Sequence, residues 1–131
     1  MLKYGLLLGF ALILVGCGVP STDDPAAMAE YMVKMLDTGD AVGAYTYYAA
    51  NHWDEKLKRP LNDQEKTSAV EKFSKAFEES GLKDTRCIFK GAKSEEKDKV
   101  KISYEFRRLG GTKTIQTGTM VKQKDRWWFS E

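Results

Sequence analysis

Residues 99–108 read Lys-Val-Lys-Ile-Ser-Tyr-Glu-Phe-Arg-Arg (KVKISYEFRR). Val100, Ile102, Tyr104 and Phe106 alternate with Lys101, Ser103, Glu105 and Arg107. Strict alternation is the pattern of a half-buried β-strand, whose successive side chains point to opposite faces of a sheet. A strand with one apolar and one polar face suits an antiparallel sheet that needs a cover on one side only. The fold follows from finding the strand's neighbours and that cover.

Downstream, Gly110-Gly111 reads as a hairpin turn, since glycine reaches the backbone conformations that tight turns demand. Lys113–Lys124 is a threonine-rich strand with Ile115 and Val121 assigned inward. A tight turn at Lys124-Asp125 leads to a last strand, RWWFS. Adjacent Trp127 and Trp128 must point to opposite faces, so one of them is expected to be exposed or at an edge. Upstream, Cys87 and Phe89 alternate with Arg86, Ile88 and Lys90 in a first strand. The predicted sheet is a meander of about four strands, and Cys87 is a small buried hydrophobe within it.

The cover lies before residue 86. Asp24 can cap a helix whose first position suits Pro25, and Ala27, Met28, Tyr31, Met32, Met35 and Leu36 recur at helical spacing. Gly39 stops it. Asp40 caps a second helix with Ala41, Ala44, Tyr45, Tyr48 and Ala49 on its apolar side; it frays near Asn51-His52-Trp53. After a turn containing Pro60, Asn62 and Glu65 make a capping-box start. Val70, Phe73 and Phe77 form the apolar stripe of this third helix, and Gly81 ends it. Three helices followed by an antiparallel meander is an α+β layout.

The order of elements, the TGDAVGAYTYY after the first helix and the closing VKQKDRWWFS together resemble the nuclear transport factor 2-like (cystatin-like) fold, in particular the small uncharacterised domains of that superfamily found in bacterial lipoproteins. The resemblance spans residues 25–131. It implies a cone-shaped domain, a curved sheet wrapped around helices, whose interior can be a pocket. Members of this fold include isomerases, dehydratases, cyclases and plain binding modules, so the residues must decide the chemistry.

The N-terminus points to a compartment. Residues 1–17 read MLKYGLLLGFALILVGC, with Lys3 the only charge before Asp23. A short basic start, an apolar core and small residues before a cut site make a secretory signal peptide. A membrane-spanning helix needs about 20 apolar residues, which this run barely supplies. Leu14-Val15-Gly16-Cys17 resembles the bacterial lipobox, which implies removal of residues 1–16 and acylation of Cys17. Two or more acyl chains hold a protein stably to a bilayer. Gly18 after Cys17, with no aspartate there, implies the periplasmic side of the outer membrane in a diderm cell. Residues 17–24 then form the lipidated cysteine and a short tether, whose seven residues from Gly18 to Asp24 reach roughly 25 Å fully extended.

What remains is 115 residues, enough for one domain. Charge is uneven. Residues 93–126 carry ten basic residues against five acidic ones. That segment could face an anionic surface such as lipid headgroups; a solvated sheet face whose lysines blunt the edges is the commoner explanation. An envelope location leaves no nucleic-acid partner. One histidine and one unmodified cysteine make no metal set, and no cofactor motif is present.

For an isomerase, the inward strand positions offer no carboxylate, and Glu105 is placed on the outward face. His52 is the only histidine and is read as a residue of a polar helix end, not as catalytic. Tyr45, Tyr48, Trp53, Tyr104 and Trp127 could instead line an apolar pocket. The expectation is a non-catalytic, lipid-anchored envelope protein that binds a small apolar ligand or an envelope protein partner. The alternative is a small lyase or isomerase using a pocket acid/base.

Overall fold

A computed structural model describes residues 18–130, and only the backbone of Lys83. The segment expected to be a signal peptide, residues 1–16, and Cys17 lie outside the described residues. The chain forms α1 (Pro25–Asp37), α2 (Ala41–Ala50), β1 (Trp53–Asp54), β2 (Arg59–Pro60), α3 (Asp63–Glu79), a 3-10 turn (Leu82–Asp84), β3 (Arg86–Glu96), β4 (Lys99–Arg107), β5 (Lys113–Gln123) and β6 (Arg126–Phe129). The sheet is antiparallel in the order β3-β4-β5-β6, with helices supplying its cover. The expected α+β architecture is the one observed.

Local signals set the helix boundaries. The Asp24 carboxylate accepts the Ala27 N–H at 3.1 Å, and Pro25 opens α1. Gly39, at φ +87°, turns the chain out of α1 in a conformation that other residues rarely adopt. Asp40 accepts the Gly43 N–H at 2.9 Å, and any side chain at position 43 would collide with that carboxylate. Asn62 and Glu65 close a reciprocal capping box at the start of α3.

The register of the sheet corrects the sequence reading in its second half. Val100 pairs with Met120, Ile102 with Gly118, and Phe106 with Thr114. The helix-facing side of β5 is therefore the even-numbered one, and Met120 is its core residue, fully buried. Ile115 is exposed, and Val121 is buried on the opposite face. Both tryptophans of β6 are buried: Trp127, 9% exposed, enters the main core, and Trp128, 6% exposed, lies on the outer face. The cause is the β1–β2 hairpin, in a segment read from sequence as a plain turn. It brings Trp53 over Trp128 with ring centroids 5.6 Å apart and closes a second small cluster with Val121.

The main core fills the space between α1 and the sheet. Met28, Val33, Met120 and Phe129 are almost wholly buried there, and Phe106 meets Phe77 of α3. Of the stripe assigned to α3, only Phe77 is buried; Val70 and Phe73 are half-buried. That partial burial leaves room beside α2. The free edge of β6 is covered, since the Trp127 N–H donates to the Thr22 carbonyl at 2.9 Å and the Phe129 N–H to the Asn51 carbonyl at 2.7 Å. The segment expected to be a tether is packed on the domain: Thr22 is bonded to the sheet edge, and Gly18 and Pro20 share a hollow with Ala27, Tyr31 and Lys34 of α1.

Candidate functional site

The end of α2 and the first half of α3 enclose an open groove of about 480 Å3. This is the size range of small-molecule sites. Tyr48, Leu61, Ala69 and Phe73 give it an apolar lining, while His52, Gln64, Glu65, Ser68 and Lys72 add polar groups. Positions 61, 65, 68, 69 and 72 recur at helical spacing around the start of α3. Ser68 and Ala69 are small side chains that line the groove together with Tyr48.

Each wall is fixed by contacts behind it. Tyr48 packs on Phe73 edge-to-face, with centroids 5.8 Å apart, and on Phe129 at 5.1 Å. Its other neighbour is the His52 ring, at 5.1 Å. The end of α2 is held by Asn51, whose amide N–H donates to the Tyr47 carbonyl at 2.9 Å while its side-chain oxygen accepts from Arg126. His52 then bridges to Phe129 of the sheet. The start of α3 is tied to the β1–β2 hairpin by a bidentate pair: Arg59 donates to both Glu65 oxygens at 2.8 and 3.1 Å.

The electrostatics separate the titratable groups. Arg59's hydrogen bond, with the Asn62 N–H, pulls the Glu65 carboxyl down to about 2. Glu65 is therefore a fixed anion that orients the helix start and a poor proton acceptor near neutrality. Burial pushes the Tyr45 phenol up to about 12, so it stays a neutral hydrogen-bonding group. Burial also pushes the Cys87 thiol up to about 12, with the Asp37 carboxylate adding to the effect. Cys87 is the core residue the sequence anticipated, its backbone N–H donating to Asp37 at 2.8 Å.

Of the five aromatic residues proposed as pocket lining, Tyr48 lines the groove. Tyr45 lies beside it against Phe73 and Phe77. Tyr104 stacks on Phe106 at the border of the main core, Trp127 is within that core, and Trp53 belongs to the separate cluster on the other side of the sheet. The structure thus does not bring the five to one cavity. His52, read as a surface residue, is half-buried and reaches the groove. Glu105 does lie on the face away from the helices, but it is only 2% exposed. Neighbouring side chains close over it: Arg107 Nε lies 2.7 Å and Lys90 Nζ 3.7 Å away. Desolvation raises its carboxyl, and those cations with Lys113 outweigh it, leaving the group below the usual carboxylate value. Among the described residues no group of three or more His, Cys, Asp or Glu side chains could hold a metal ion.

No family model and no curated protein matches the chain. Solved structures do. A provisionally named NTF2-like transpeptidase from Campylobacter jejuni aligns with a TM-score of 0.55 at 16% identity, over 83% of this chain and 99% of its own. The fold is NTF2-like. A further NTF2-like protein, of unknown function, from Shewanella oneidensis MR-1 gives a TM-score of 0.44 at 13% identity, covering 80% and 94% of the two chains. A SEC-C motif-containing protein from Rhodopseudomonas palustris gives 0.49 at 18% identity, covering 86% and 79%. At these identities the likeness concerns the NTF2-like shape, and the chemistry of the groove rests on this chain's own residues.

Proposed function

We propose that this chain is an envelope lipoprotein, acylated at Cys17, whose NTF2-like domain holds a small apolar ligand in the groove between α2 and α3 without transforming it. The groove itself carries the reading: an apolar wall of Tyr48, Leu61, Ala69 and Phe73, with a few polar groups at its margin to orient a ligand. The carboxylate beside it is committed to Arg59, and the cysteine of the core is too buried and too weakly acidic to serve as a nucleophile. An envelope protein offering an apolar side chain is the other occupant consistent with the same wall.

The test is a titration with an apolar, environment-sensitive fluorophore, comparing the natural chain with Ala69→Phe. The added ring should fill the groove and weaken binding at least about tenfold, as loss of an apolar contact does. Unchanged affinity in a folded Ala69→Phe protein would refute the site. The natural chain should incorporate labelled palmitate in a bacterial host and the Cys17→Ser chain should not; an unlabelled natural chain would count against acylation.

One observation favours a second reading, a small lyase or isomerase: His52 reaches the groove. Histidine is the common acid/base near neutral pH. Turnover of a carbonyl or hydroxy compound, abolished by His52→Ala with ligand affinity retained, would establish this reading over the first.

A further inference from the structure

The sheet face turned away from the helices bears more positive charge than its own carboxylates, Glu105 and Glu96, balance. Arg107 and Lys113 are direct cross-strand partners of β4 and β5, and there Glu105 lies between cations. Lys93 and Lys101 are direct partners of β3 and β4, and among the described residues no carboxylate pairs with either. Like charges set directly opposite destabilise a sheet unless an anion lies between them. With Lys90 and Ser103 these two lysines surround a shallow hollow of about 330 Å3.

The end of the same sheet presents an apolar point among cations. In the β4–β5 hairpin the Arg108 N–H donates to the Thr112 carbonyl at 2.9 Å, and Gly110 and Gly111 take φ of +103° and +96°. At this tip Leu109 is 94% exposed, beside Arg108. A protein partner would be expected to match such a surface with a pocket and with carboxylates. A bilayer needs only spread positive charge for its phosphates and an apolar side chain to enter the acyl boundary.

The chain enters on the helix side of the sheet, where Gly18 shares a hollow with Lys34 in the last turn of α1. That helix ends at Asp37, which binds Arg86 at 2.8 Å, and Arg86 is the cross-strand partner of Arg107 next to the tip.

We propose that the outer face of β3–β5, with Leu109 at its tip, docks on the anionic phospholipid headgroups of a bilayer. This contact is independent of acylation at Cys17 and would fix the orientation of an anchored domain.

The experiment is co-sedimentation of the full chain carrying Cys17→Ser with phosphatidylcholine vesicles, with and without phosphatidylglycerol, at low and high salt. The N-terminal run acts on both vesicle types, and its Lys3 and amino terminus also favour phosphatidylglycerol, so the part of the phosphatidylglycerol increment that substitutions in the sheet remove is the part due to the charged face. That increment should vanish at high salt, through screening. Lys93→Gln with Lys101→Gln should reduce it by about fivefold per lysine. Leu109→Ser should reduce binding by about tenfold. The lysine variants should unfold at the same temperature or higher, because a like-charge pair is removed. Equal binding to both vesicle types, or an increment that survives the double substitution, would overturn the proposal. So would tight binding of polyglutamate with no effect of Leu109→Ser, which would make this a surface for an acidic protein.

Discussion

Replacing Trp128 by alanine removes the centre of the small cluster on the outer face of the sheet. The ring touches Trp53, and the Arg126 guanidinium carbon lies 3.7 Å from its centroid. Its indole N–H donates to the Gln123 carbonyl at 3.0 Å. An aromatic side chain of this kind buries about 150–250 Å2, or ~4–6 kcal/mol as an upper bound at ~25 cal/mol per Å2. Large aromatic truncations cost about 3–5 kcal/mol, and the stacked arginine adds ~0.5–1 kcal/mol. A loss of about 4 kcal/mol is a large share of the ~5–15 kcal/mol that holds a domain of this kind folded. With a urea dependence of ~2 kcal/mol per molar, the unfolding midpoint should fall by about 2 M. Far-ultraviolet circular dichroism is the suitable probe, because the substitution deletes a fluorophore. Trp127→Ala, in the main core, should cost about as much. A cost below about 1 kcal/mol for Trp128→Ala, with Trp127→Ala strongly destabilising, would mean that the β1–β2 hairpin does not cover the outer face in solution.

Two further outcomes are expected. The Glu65 carboxyl is held near 2 in the folded protein against a usual 4.5, so its pairing stabilises fully above the higher value and is lost as pH falls through the lower. Glu65→Gln should flatten the fall of the thermal midpoint across that acidic window, and an unchanged slope would rule out the Arg59 pair as its source. In the Cys17→Ser chain, Cys87 should resist alkylation at neutral pH until the protein unfolds, since its thiol is buried and pushed up to about 12. Rapid labelling of the native protein would show that the sheet opens at β3.

Features decided by neighbours in the chain were legible in the sequence. The caps at Asp24, Asp40 and Asn62, the glycine stops and the alternation of residues 100–107 are local, and each reappears in the structure. Where several partners compete, the sequence was silent. Threonines occupy both faces of β5, so its parity came from the register with β4 and not from its own pattern. The β1–β2 hairpin has two residues per strand, too few for any period to show, yet it decides the fate of Trp128. The groove is lined partly by the small side chains of Ser68 and Ala69, and a groove has no signature until the opposing helix is placed. Tyr48 could be named in advance because an amphipathic aromatic ring suits a site wall; its four companions suited a core equally well.

The bond from the Trp127 N–H to the Thr22 carbonyl has a mechanical consequence. Any pull on the amino end is delivered to the last strand through that one link, after Gly18 and Pro20 have been peeled from the helix they rest on. If the proposed acylation fixes Cys17 to a membrane, a bilayer that drifts or bends would tug at β6 and, through Asn51, at the end of α2 beside the groove. Tension on such an anchor and occupancy of the proposed groove would then be felt by neighbouring backbone amides.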